Sequence, residues 1–253
     1  MSNKFLLAMA LGTALALSGT AAMADTFRVG TEGAYAPYNF MNDEGKLAGF
    51  EIDLGNELCK RMDMECEFIV NEWDSIIPNL VAGNYDAIMA GMSITDERKK
   101  TIAFSDEYKP VDPSLYLAAA GTELDFDNLE GKSIGVQGAT IQAAFAEEKF
   151  AGKNTIKSYE KPDQSIADLG AGNVDAVLAD GEFIRTMEQG AQGAFAIIGP
   201  EEMIGGGIGI GMRQDDAGLQ EKVNAALEAV KQDGTLDELI MKYFEVGPFY
   251  KSE

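Results

Sequence analysis

Leu80-Val-Ala-Gly-Asn-Tyr-Asp-Ala-Ile-Met-Ala-Gly91 and Leu169-Gly-Ala-Gly-Asn-Val-Asp-Ala-Val-Leu-Ala-Asp180 are two copies of one segment, identical at seven of 12 positions and 89 residues apart. Each reads as a helix end, a Gly-Asn turn and a short buried strand. A weaker match pairs Val29-Gly-Thr-Glu-Gly-Ala34 with Ile134-Gly-Val-Gln-Gly-Ala139, 105 residues apart. The order is the same in both copies: strand and Gly turn first, then helix, Gly-Asn and strand. A repeat present only twice is not a solenoid. It predicts two similar α/β lobes.

The rest of the chain fits that frame. Strands are expected at 27–32, 67–70, 86–90, 102–104, 115–119, 133–136 and 176–179, with a short strand running into a helix over 49–61. Helices are expected at 73–81, 141–150, 217–232 and 236–244. Short apolar strands alternating with helices imply mostly parallel, Rossmann-like sheets covered on both faces. The predicted fold is therefore two-lobed α/β, its sheets joined by a two-crossing hinge. Lobe one takes 25–110 plus 206–253 and lobe two 111–205. The crossings fall near 109–112 and 204–207, and the Gly205-Gly-Gly207 run suits backbone rotation.

Composition narrows the chemistry. The 253 residues carry 20 Lys+Arg against 42 Asp+Glu, a formal net charge of −22, and no histidine. That balance argues against nucleic acid as a partner, because phosphate binding needs a basic surface. Without histidine there is no Ser-His-Asp or Cys-His nucleophile and no His-ligated zinc. The N-terminus reads as an export signal: Lys4, an apolar run from Phe5 to Leu17, and Ala22-Met23-Ala24 as a cleavage site. Cleavage after Ala24 would leave a protein without a lipobox cysteine at the junction. In an oxidising compartment the two cysteines, Cys59 and Cys66, predict one structural disulfide across a helix–strand turn. No metal site is expected from two lone thiols.

Ligands of open α/β sheets sit beyond the carboxyl ends of the strands. The repeat marks four such ends: 32–35, 90–93, 137–140 and Asp180. Arg98, in Ser93-Ile-Thr-Asp-Glu-Arg98, would return toward one of them, where a guanidinium holds a carboxylate through paired hydrogen bonds. The competing reading is a surface ion pair with Asp96. Asp180, in the other half, offers a carboxylate for an ammonium. The pair suits a free amino acid. Tyr35 and Trp73 can stack on its side chain, unless they simply pack in the core. Glu32, with Glu51 nearby, would meet a distal positive charge.

At these residues the sequence resembles the periplasmic solute-binding proteins of amino-acid ABC transporters, of the lysine/arginine/ornithine, histidine and arginine type. The stretches that carry the resemblance are Gly33–Tyr38, Gly49–Arg61, Trp73–Leu80, Met92–Arg98, Phe104–Tyr108 and Val174–Asp180. It covers 26–244. The resemblance implies that Arg98 binds the ligand carboxylate, with backbone N–H groups of Ser93 and Thr140. It assigns the ammonium to the Gly91 carbonyl, the Ser93 hydroxyl and Asp180. Tyr35 and Trp73 would sandwich the side chain, and Glu32 would face its basic end with Glu51 as an outer partner. It also implies a Cys59–Cys66 bridge.

Three positions depart from the lysine/arginine/ornithine pattern: two pocket serines are Ala90 and Gly91, and a polar residue is Ile141. The smaller pair leaves room for an opine such as octopine or nopaline, or for another polar amino acid. A periplasmic prephenate or arogenate dehydratase on the same fold is the enzymatic alternative. The expectation is a binding protein rather than an enzyme, without cofactor, monomeric and periplasmic. It favours arginine and delivers its ligand to an inner-membrane ABC permease.

Overall fold

The computed structural model describes residues 25–250. The expected signal segment, 1–24, and its cleavage after Ala24 lie outside these residues. Two five-stranded sheets frame the molecule. The first runs, edge to edge, β5 (Met64–Val70), β1 (Asp25–Thr31), β6 (Ala87–Ile88), β13 (Gly211–Met212) and β7 (Ala103–Phe104). The second runs β10 (Thr155–Tyr159), β9 (Ser133–Gln137), β11 (Ala176–Asp180), β8 (Ser114–Ala119) and β12 (Phe195–Glu202). A small antiparallel sheet of β2 (Ala34–Tyr35), β3 (Asn39–Met41) and β4 (Leu47–Ala48) caps the first. In each large sheet three neighbouring strands are parallel, and the fourth runs against both of its neighbours. Four of five strands thus share one direction in each.

The chain leaves the first sheet after Phe104, enters the second at Ser114, and returns between Glu202 and Gly211. The two crossings touch: Lys109 and Ile208 form an antiparallel bridge. Eight helices fill the layers among the described residues: α1 (Phe50–Met62), α2 (Trp73–Val81), α3 (Asp96–Lys99), α4 (Ile141–Phe150), α5 (Pro162–Gly170), α6 (Gly181–Gly190), α7 (Ala217–Gln232) and α8 (Thr235–Phe244).

Side-chain alternation along the strands decides which helix covers which face. On β6, Ala87 joins the core with Leu54, Leu58 and Leu227, whereas Ile88 packs with Ile76 and Leu80 of α2. On β11, Leu178 meets Ala146 and Phe150 of α4, and Val177 points to Leu169 and Phe183 on the opposite face. Both sheets are therefore buried on two sides. Cys59 and Cys66 are bonded, joining α1 to β5 with Cα atoms 5.7 Å apart.

Several elements differ from the sequence reading. The strand expected at 86–90 is only two residues long: Met89 keeps one bond to the Gly30 carbonyl and a place in the core, and Ala90–Gly91 turn away to line the cleft. Three larger elements were not anticipated, β10, α6 and β12, and of α5 the repeat marked only the end near Leu169. β10 is an edge strand with a mostly solvated pattern, so no apolar run marks it. β12 contains Gly199 and Pro200, and its register shifts between Ile198 and Glu202, as edge strands tolerate. α6 begins and ends on glycine, which hides its boundaries.

Candidate functional site

The four repeat-marked strand ends converge between the sheets. Glu32 follows β1, Gly91 follows β6, Gln137 ends β9 and Asp180 ends β11. They border one cleft, together with Tyr35, Trp73, Ala90, Ser93, Arg98 and Thr140 from the sequence reading, and with Ile141 and Gln142. The free space in the cleft is about 20 Å³, room for roughly one water.

Arg98 lies in α3, whose first turn is capped by Thr95: its Oγ1 accepts from the Arg98 N–H at 3.2 Å. The guanidinium turns back from the surface, donates to the Ser93 carbonyl at 2.8 Å and lies over the Trp73 ring at 5.2 Å. The ion pair at Asp96 is made by Lys99 instead. Burial pulls the Arg98 pKa down to about 10, and the charge of Asp180 opposes that shift. Arg98 stays protonated at neutral pH and faces Asp180 across the cleft without a direct bond.

Asp180 is the N-cap residue of α6. Its Oδ2 accepts from the Tyr35 hydroxyl at 2.7 Å and its Oδ1 from Gln142 Nε2 at 2.8 Å. Burial raises its pKa, while those two bonds and the more distant Arg98 hold it down. Gln142 also donates to Ser114 Oγ at 3.0 Å, so it ties Asp180 to the neighbouring strand. Tyr35 stacks on Phe183 at 4.7 Å between centroids, with 4° between the ring planes. Trp73 donates through Nε1 to the Ala139 carbonyl at 3.2 Å. Ala139 holds a left-handed φ of 55°, strained for a residue with a Cβ and characteristic of functional turns. The two aromatic rings thus border the cleft but have separate neighbours.

Glu32 is 6% exposed. Burial lifts its carboxyl to about 7, against the lowering effect of a 2.6 Å bond from Gln137 Nε2. Glu51 is not among the residues bordering the cleft. Fully buried at the start of α1, it sits behind the floor as a bracket. It accepts from the Gly91 N–H and the Asn39 side chain, each at 2.7 Å, and from the Tyr108 hydroxyl. Burial raises its pKa and these three donors oppose the shift. Gly91 has a left-handed φ of 61°, and that turn is what Glu51 fixes. Its expected place as an outer partner of the ligand's distal charge gives way to this supporting position, because both its oxygens are occupied.

Gln142 and the Glu32–Gln137 contact were missed. The weaker repeat match aligns Glu32 with Gln137, a signal that the two face each other. Gln142 follows an apolar Ile141 and carries no such mark.

The family described as bacterial extracellular solute-binding proteins, family 3, matches residues 27–246. The lysine/arginine/ornithine-binding periplasmic protein of Escherichia coli K12 is 39% identical, over 98% of this chain and 99% of its own. The histidine-binding periplasmic protein of the same strain is 36% identical, over 94% and 95%. Among solved structures, a periplasmic His/Glu/Gln/Arg/opine family-binding protein from Silicibacter pomeroyi in complex with lysine is 44% identical. It superposes with a TM-score of 0.81 over 88% of this chain and 100% of its own.

Proposed function

The chain belongs to family 3 of the bacterial extracellular solute-binding proteins, and on that premise we propose that it captures a basic amino acid, arginine first, between its two lobes. The observation that carries this reading is a charge arrangement. Arg98 from the first lobe and Asp180 from the second face each other across a buried cleft, and the carboxyl of Glu32 stands in the same cavity. A zwitterion with a cationic side chain complements all three. Its carboxylate pairs with Arg98, its ammonium with Asp180, and its distal cation with Glu32. Gly91, Ser93 and Thr140 line the main-chain end, and Tyr35 and Trp73 the side chain. Neither lobe holds both charges, so capture requires both.

Entry into so small a cavity displaces the Tyr35 hydroxyl from Asp180 and separates the lobes. Rotation at the two crossings supplies that movement, with lobe one at 25–110 plus 206–253 and lobe two at 111–205. In this reading the chain binds without turning its ligand over, works as a monomer in the periplasm after loss of residues 1–24, and hands its cargo to an inner-membrane ABC permease. No helix among the described residues is long and apolar enough to cross a membrane.

Titration calorimetry of the purified protein with arginine, lysine, histidine, glutamine and octopine tests the assignment. Tightest binding is expected for arginine, and tighter binding of glutamine would sink the cationic reading. The small residues Ala90 and Gly91 at the cleft support an opine as the second reading, and octopine as the tightest ligand would establish it.

A further inference from the structure

We propose that Gln137 is a specificity-determining residue of the cleft: from the second lobe it holds one oxygen of Glu32, so that the ligand's distal cation meets one free carboxylate oxygen and one already shared, and arginine's advantage over lysine is restrained. The inference rests on the reading of the cleft as a basic amino-acid site.

The geometry is a closed set. Gln137 is the last residue of β9, paired in register with Tyr159 of β10, and its carbonyl accepts from the Thr140 hydroxyl at 2.7 Å. Its backbone is therefore fixed by the sheet and by the cap of α4. Its side-chain nitrogen gives one bond to Glu32 Oε1 at 2.6 Å and a second to the Glu160 carbonyl at 3.3 Å. Both amide hydrogens are used, which fixes the plane of the amide. Gln137 and Glu32 are 8% and 6% exposed, so water cannot readily substitute for either partner.

A guanidinium gains most from a carboxylate when two parallel N–H groups meet both oxygens. Set edge-on against Glu32, its second donor would have to share Oε1 with the Gln137 amide and take that oxygen's remaining lone pair, so it gains less there than from a free oxygen. A compact ammonium can take Oε2 alone and loses nothing by the sharing. Gln137 thus narrows a preference that the aromatic rings and the carboxylate alone would make steeper.

Calorimetry of wild type, Gln137→Met and Gln137→Asn with arginine and lysine tests this. Methionine keeps the volume without the donor, and asparagine keeps the amide but shortens its reach. The ratio of lysine to arginine Kd is expected to rise about threefold in both variants, part of the worth of one charge-assisted hydrogen bond. A structural defect alone would weaken both ligands together and leave the ratio unchanged. An unchanged ratio in both variants, whether or not both affinities fall, or a shift toward lysine, overturns the inference and leaves the functional reading intact. Failure of the wild-type protein to bind either ligand overturns both.

Discussion

The two halves of the repeat build the same frame and then furnish it differently. In each, an aspartate just before the second strand accepts from a backbone N–H of the first. Asp86 Oδ2 takes the Arg28 N–H at 3.1 Å, and Asp175 Oδ2 takes the Ser133 N–H at 2.8 Å. The reverse bonds match as well, from the Asp86 N–H to the Arg28 carbonyl and from the Asp175 N–H to the Ser133 carbonyl, each 2.8 Å. Both pairs lie at the base of their sheets, away from the cleft. At the opposite ends the copies diverge. Where the first has Glu32, the second has Gln137; where the first has Gly91, the second has Asp180. Shared residues specify the lobe, and unshared residues line the cleft. The division is physical: a turn that must be made twice constrains its residues twice, whereas one cleft needs two unlike walls.

The largest effect should come from removing the charge that only the first lobe supplies. Arg98→Ala is expected to weaken every ligand in the panel at least about thirtyfold, because it leaves a ligand carboxylate desolvated and unpaired, a loss of about 2–5 kcal/mol. Calorimetry at constant pH reads it directly. Near wild-type affinity would show that the lobes do not divide the ligand's charges between them.

A second contrast lies at the helix–strand turns. The first lobe clips α1 to β5 with the Cys59–Cys66 bond. At the corresponding turn between α4 and β10, the second lobe uses Asn154, whose side chain donates to the Leu129 and Phe150 carbonyls at 2.9 and 3.1 Å and accepts from the Lys132 N–H at 3.0 Å. Replacing both cysteines by serine should cost about 2.5 kcal/mol for so short a loop. Asn154→Ala should cost about 1–2 kcal/mol for a part-buried set of three bonds. Urea unfolding of each variant gives the comparison. An equal or larger loss for Asn154→Ala would mean that the covalent clip adds nothing beyond what hydrogen bonds achieve.

The repeat also explains what could be read before any coordinates. Leu80–Gly91 and its copy locate two strands, the turns before them and the cleft ends after them. α2 and α4 follow from apolar spacing with clear limits at Trp73 and at the Thr140 cap. The legible part is the shared part. β10 and β12 lie at a sheet edge, where solvated side chains leave no alternating signal. Glu51 was misplaced for a related reason. A buried carboxylate that holds a backbone turn and one that waits for a ligand carry the same letter, and only its three donors distinguish them.

The smallest effect concerns the unlike pair Glu32 and Gln137, and it is a matter of pH. Burial, the largest influence, lifts the Glu32 carboxyl to about 7. The Gln137 bond opposes it, while the charges of Glu72 and Asp163 add to the rise and Lys161 works against it. A carboxyl raised in the folded state takes up its proton earlier as pH falls than it does unfolded. Its contribution to stability therefore declines as pH rises from the ordinary carboxyl range toward 7. Binding of a cation runs the other way, since it needs the carboxylate. With a midpoint near 7 the ionised fraction grows about tenfold between pH 6 and pH 8, so the arginine-to-glutamine affinity ratio should grow by roughly that factor. Asp180 and Arg98 meet the same main-chain groups in both ligands, so their own titration cancels in the ratio. Glu32→Gln should flatten the profile and narrow the gap between the two ligands at pH 8, while leaving the main-chain clamp in place. A ratio in the unmodified protein that does not change with pH would remove Glu32 from the ligand's side chain and return its carboxyl to Gln137 alone.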